Sequence, residues 1–274
     1  MVFSDLEVVA GIASRTVGYV RDNVFRVWAT GAGKTQHGYS PELAGAMHRE
    51  ADEFFDRALA LYLLRTHLRV LQASTWGDIG SYYSNYFSAT SFLRLHLTSV
   101  SHLPGQIFEI EPDVPISAVF KVSLRGQQLR HTELWKRYYK LVNDMGWPDA
   151  ATVVVLSPTI IQLKFREQLF RERINYRAGE GFDEIYLTPV RYARSIRPSN
   201  RPTVSAGTAT SDAIYNDHLA RERLRHVGSL LVRLRNLRID TAIEETAWER
   251  RRSLVARFAS NPVDRKFARE ILGL

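Results

Sequence analysis

Tyr82-Tyr83-Ser84-Asn85-Tyr86-Phe87-Ser88-Ala89-Thr90-Ser91-Phe92-Leu93-Arg94 has no polar face of the kind an amphipathic helix shows and no strict alternation of the kind a half-buried strand shows. Ile79 precedes it and Leu97 follows, and serines at 81, 84, 88 and 91 separate the aromatic residues. A helix from about Trp76 to Val100 with apolar and small residues most of the way round is one surrounded by other helices. Small side chains let neighbouring backbones approach closely, and buried tyrosine hydroxyls need partners. The stretch therefore predicts a helical bundle with residues 76–100 at its centre.

The flanking sequence supplies the neighbours. Ser40-Pro41-Glu42 is a helix start, with a capping hydroxyl and proline at the first position, and Leu43, Met47, Phe54, Ala58, Leu61, Leu64, Leu68 and Leu71 extend the helix to about Gln72. Upstream, Ser4 and Glu7 stand at capping-box spacing before a helix to about Val27, and Thr30 to Tyr39, with three glycines, reads as a loop. Downstream, Gln106–Ile110 and Ile116–Leu124 alternate and are β-branched, which predicts a hairpin inserted into the helical body. Helices follow at about Thr132–Asp144, from Pro158 through Ile174, and at about Ser211–Leu237, Thr241–Ala259 and Pro262–Leu272. The expected class is mainly α, a helical bundle with a small inserted β-hairpin. The expected division is an N-terminal helix at 1–30, a bundle at 40–237 with its insertion at 103–150, and a helical appendage at 241–274.

A chain of 274 residues that is 45% hydrophobic and 24% charged is a folded protein with ample core. It contains no cysteine, which removes disulfides, thiolate metal sites and cysteine nucleophiles together. With no apolar run of membrane-spanning length and acids already at Asp5 and Glu7, the expectation is a cytoplasmic protein with no membrane partner. Residues 1–150 carry 15 Lys+Arg against 15 Asp+Glu, and residues 151–274 carry 22 against 14, so the net charge of +8 lies wholly in the C-terminal half. Arginine outnumbers lysine 31 to 6. Arginine suits flat, bidentate contacts with phosphate and carboxylate, either inside the fold or on a binding face.

Standard catalytic motifs are absent. Gly31-Ala32-Gly33-Lys34-Thr35 imitates the end of a phosphate-binding loop, but Trp28 stands where its first glycine belongs and an amphipathic helix precedes it where a strand is needed. The eight histidines form no pair at metal-binding helical spacing, and there is no nucleophile elbow. No metal and no cofactor are expected.

The run Tyr82-Tyr83-Ser84-Asn85-Tyr86-Phe87-Ser88-Ala89 resembles the second core helix of HEPN (higher eukaryotes and prokaryotes nucleotide-binding) domains, of the form Y-Y-x-x-Y-x-x-A. The resemblance implies a prokaryotic component of a nucleic-acid-linked system, such as antiphage defence or toxin–antitoxin regulation. It also implies a protein partner or a second copy of the chain. Many such domains are metal-independent ribonucleases using arginine, four to six residues, then histidine. Arg125 with His131 and Arg221 with His226 have this spacing. The second pair would lie about 140° apart on a helix, which leaves Arg125 and His131 as the catalytic candidates, the histidine to move the 2′-hydroxyl proton and the arginine to neutralise phosphate. The region around Arg171 to Arg177, where the family often carries the motif histidine, has none. The reading favoured is thus a non-catalytic or conditionally active binding component over a ribonuclease, with a purely structural adaptor as the third reading.

A nucleic-acid contact is expected between Ile185 and Ser211, a stretch without acids. Arg191, Arg194, Arg197 and Arg201 recur there at three- and four-residue spacing, able to follow phosphates while Tyr192 stacks on a base.

Overall fold

A computed structural model describes residues 18–24, 35–70, 74–103, 106–113, 119–125, 131–145, 211–237, 245–259 and 261–273. The chain is mainly helical, with one antiparallel sheet. A π-helical turn at Val20–Val24 is followed by β1 (Thr35–Tyr39), α1 (Pro41–Val70) and α2 (Ser74–Leu95). Then come β2 (Ser99–Leu103), β3 (Gln106–Pro112), β4 (Val119–Arg125) and α3 (His131–Asp144). The remaining helices are α4 (Ser211–Leu237), α5 (Glu245–Phe258) and α6 (Pro262–Leu272).

These elements fall into two compact units, and α1 and α2 each contribute one half to either. The first contains the sheet, in the order β1-β4-β3-β2, with α1 to Phe54, α2 from Ala89, and α3. Ser40 caps α1 as its spacing predicted, its Oγ accepting from the Leu43 amide at 3.1 Å. Leu43 and Met47 on that helix pack with Phe108 and Ile110 of β3, Phe120 and Val122 of β4, and Val20. Glu109 and Glu111 alternate onto the other face of β3, where Arg137 of α3 pairs with both. A strand covered on both faces has buried residues in succession, and Ile107 to Ile110 are all buried. Arg94 of α2 pairs with Glu50 at 2.9 Å and donates to Ser101 Oγ at 3.0 Å, so its buried charge is fully engaged.

The second unit is all helical among its described residues: α1 from Phe55, α2 to Ser88, α4 to Arg233, α5 and α6. Small residues hold α2 against α1. A Cβ on Gly80 would lie 3.3 Å from the Leu61 carbonyl oxygen, and Ser84 Oγ donates to the Ala58 carbonyl at 2.9 Å. From Gly80 to Leu95 every residue of α2 except Phe87 is buried, the central helix its composition predicted.

Two expectations need correction, the end of the central helix and the extent of the β element. The central helix ends at Leu95 rather than near Val100, because Leu97 takes a left-handed conformation (φ 57°) and the Thr98 amide bonds back to Leu93 O at 2.8 Å. Residues Ser99–Leu103 then form β2. Thr35–Tyr39 is a strand paired with β4, where a loop was expected, so the β element has four strands rather than a hairpin's two and is not confined to 103–150. The helix expected from Pro158 through Ile174 lies outside the described residues.

Candidate functional site

Tyr62, Arg65 and Arg69 recur along one face of α1 at helical spacing, and α2, α4 and α6 bring polar groups to them. Arg69 pairs with Asp217 of α4 and with Asp78 of α2, the latter at 2.6 Å. Arg65 lies 3.2 Å from Asp217 and 4.0 Å from Asp264 of α6, with its guanidinium carbon 3.4 Å from the centroid of the Tyr62 ring. Ser81 donates to Asp217, Asn85 Nδ2 donates to the Asn216 carbonyl at 2.8 Å, and Arg223 donates to Asn85 Oδ1 at 2.9 Å. Arg221 lies over the ring of Phe267, 4.9 Å from its centroid.

Burial works against the charge on Arg69, but Asp217 and Asp78 outweigh it and raise its pKa above the ordinary arginine value. Burial pushes the Tyr62 hydroxyl up from 10, against the nearby Arg65, and keeps it a phenol at neutral pH. Arg65 and Arg69 face the three carboxylates of Asp78, Asp217 and Asp264, while Arg221 lies over the Phe267 ring and Arg223 bonds Asn85. What the cluster does chemically is fix four helices in register, since each buried charge demands its partner.

A second group of arginines, of which Arg251 is buried, is paired in the same way. Arg251 of α5, fully buried, donates to Asp56 at 2.6 Å and lies over Phe55 and Trp248, while Arg250 pairs with the other oxygen of Asp56. Arg225 is shared by Glu222 and Glu270; burial opposes its charge, and the two carboxylates raise its pKa. Sequence reasoning missed these roles. Arg223 and Arg251 each occupy a position of the periodic apolar stripe of their helix, beside Leu224 and Val227 or Trp248 and Val255, and that placement was the available signal.

The opposite is true outside. Arg233, Arg252, Arg257, Lys266 and Arg269 are exposed and make no ion pair among the described residues, and exposed Arg265 spends its Nε on the Ala259 carbonyl. The exposed acids with described side chains on α5 and α6 are Glu249 and Glu270, and Glu270 is 3.2 Å from Arg225. The internal network holds Asp217, Glu222 and Asp264, and the described surface of α5 and α6 keeps a cationic surplus.

Arg125 is the last residue of β4, its backbone opposite Ile107 of β3, and His131 is the first residue of α3. Arg191, Tyr192, Arg194, Arg197 and Arg201 lie outside the described residues. Arg221 and His226 are both half-buried on α4, Arg221 being occupied by the Phe267 ring. Thr35 opens a strand directly after the glycine-lysine run, where a phosphate-binding loop would open a helix. Among the described residues, no group of three or more potential metal ligands occurs and no helix is long and apolar enough to cross a membrane. Comparison with protein-family models, with curated proteins and with solved structures finds no match for the chain.

Proposed function

We propose that this chain is a HEPN-like, nucleic-acid-binding component of a prokaryotic defence or toxin–antitoxin type system, and that it engages RNA or DNA through its basic C-terminal half. One observation carries the binding: among the described residues Arg233, Arg252, Arg257, Lys266 and Arg269 are exposed without an acidic partner, while Arg65, Arg69 and Arg251 are paired with carboxylates. Such a surface attracts a polyanion and gains affinity by releasing its counterions. The system and the family reading rest on the resemblance of residues 82–89.

The test is salt-dependent binding of labelled RNA and DNA to the full chain. Affinity should fall steeply as salt rises, with a log–log slope near 0.9 per phosphate contacted on duplex DNA. Replacing Arg191, Arg194 and Arg197 together by Gln should lower that slope by about 2–3 units if the 185–211 segment shares the contact. Binding to neither nucleic acid, with retained binding to an acidic polypeptide, would establish the structural adaptor instead. Cleavage of RNA in EDTA, lost in His131→Ala and Arg125→Ala, would establish the ribonuclease.

A further inference from the structure

Resting on that reading, we propose that α6 is a groove-reading helix: its exposed face enters the major groove of double-stranded DNA, with Arg265, Lys266 and Arg269 on phosphates or guanine edges and Val263 against the base edges.

The helix is built as a rigid, half-buried rod. Asn261 caps it, its Oδ1 accepting from the Asp264 amide at 2.8 Å and its Nδ2 donating to the Asp264 carboxylate at 2.8 Å. Pro262 takes the first turn, where a missing amide costs nothing, and Gly273 ends the helix in the left-handed conformation with φ 62°. Asp264, Phe267, Ala268, Ile271 and Leu272 are buried. Phe267 lies against Tyr62 of α1, and Gly228 of α4 admits the Ile271 backbone.

All that remains outside is one face. At about 100° per residue, Arg265, Arg269, Pro262, Lys266, Glu270 and Val263 follow one another across an arc of about 160°. Three cations occupy the first 100° of it, and the single acid is held by Arg225. Val263 closes the arc at 63% exposure, one of only two large apolar side chains so exposed among the described residues. Val263 places an aliphatic group beside those cations. It is the group that meets a thymine methyl in the major groove.

The shape of the face selects the occupant. A helix with its side chains is about 10–12 Å across and the B-form major groove about 12 Å wide, whereas the A-form major groove of duplex RNA is too narrow to read. Single strands are held by exposed aromatic platforms, and every aromatic ring whose burial is described is buried or half-buried. Arg252 and Arg257 on α5 and Arg233 on α4 are further cations of the same unit that make no ion pair among the described residues. They supply what flanking phosphates require.

The experiment measures binding of the full chain to a short labelled DNA duplex, the RNA duplex of the same sequence, and polyglutamate, for wild type, Lys266→Gln/Arg269→Gln and Val263→Glu. All three positions are exposed, so thermal midpoints should be unchanged. Wild type should prefer the DNA duplex. The double variant should bind it about tenfold more weakly or worse at physiological salt, with a log–log slope lower by about 2. Val263→Glu should lose comparable affinity. Unchanged DNA affinity and slope in these variants, while wild type binds, would overturn the α6 assignment and leave the nucleic-acid reading standing. RNA duplex or polyglutamate binding as tight as that of DNA, and equally sensitive to the variants, would overturn the choice of occupant. A wild-type chain that binds no nucleic acid would overturn both.

Discussion

A Cβ on Gly228 of α4 would lie 2.8 Å from the carbonyl oxygen of Ile271 on α6, closer than such atoms approach in folded proteins. The Ile271 side chain and the Phe55 ring stand 3.3 Å from the same point, so the crowding is not relieved by rotating one side chain. Gly228→Ala should therefore destabilise the chain by about 1–3 kcal/mol, although alanine is the better helix former. Denaturant unfolding that shows equal or greater stability would remove the close α4–α6 packing.

Ser88 makes a pair of opposed expectations. It is fully buried, and its hydroxyl has no hydrogen-bond partner among the described residues. Ser88→Ala, which removes an unsatisfied polar group, should leave stability unchanged or raise it by up to about 1 kcal/mol. Ser88→Leu should cost about 1–3 kcal/mol by overpacking the central helix. A leucine variant with an unaltered thermal midpoint would contradict the central position of α2.

Asp217 receives Arg65, Arg69 and Ser81 together. Asp217→Ala would leave Arg69 with Asp78 alone and Arg65 with the more distant Asp264, Arg65 being nearly buried and Arg69 about a quarter exposed. The expected loss is about 2–4 kcal/mol, reduced because water reaches Arg69. Adding Arg69→Met to the variant should restore part of it. Equal stability of the single and double variants in urea titrations would show that the charges are not coupled.

Burial, reinforced by nearby His48, depresses the pKa of His96 from 6.5 to about 4. The unfolded chain therefore takes up a proton that the folded chain refuses as pH falls. Stability from this group is complete above about pH 6.5 and declines between about 6.5 and 4, by at most about 3 kcal/mol. His96→Gln should flatten that part of the stability–pH curve. Parallel curves for the two proteins over this window would refute the assignment.

The helices were legible in the sequence wherever a stripe and a stop signal coincided. Ser211–Leu237 and Pro262–Leu272 agree with their predicted ends because Asn261, Pro262 and Gly273 mark the boundaries of α6 and the stripe of α4 is clean. The end of α2 was not, since Leu97 adopts a conformation that glycine usually signals, and tertiary packing rather than local preference holds it there. β1 was hidden for a similar reason. Its five residues, TQHGY, show no apolar alternation and carry a glycine within the strand, so the pairing with β4 is what marks them as a strand. At the candidate interface the arginine excess was plain. Which arginines were internal was not, because their partners Asp56, Asp217 and Glu270 lie scores to nearly two hundred residues away in sequence.

Glu109, buried on β3 beneath Arg137, has a bearing on how the sheet finds a single arrangement. In a strand, successive side chains face opposite ways, so sliding β3 by one residue past β4 would turn Glu109 and Glu111 inward among Leu43, Met47, Phe120 and Val122 and expel Phe108 and Ile110. An uncompensated carboxylate in that setting costs several kcal/mol, and the slipped pairing is rejected at the outset. The glutamate thus acts as a key that admits one alignment. Replacing Glu109 and Arg137 by matched apolar residues would keep the sheet's strength while removing the penalty that makes its alignment unique.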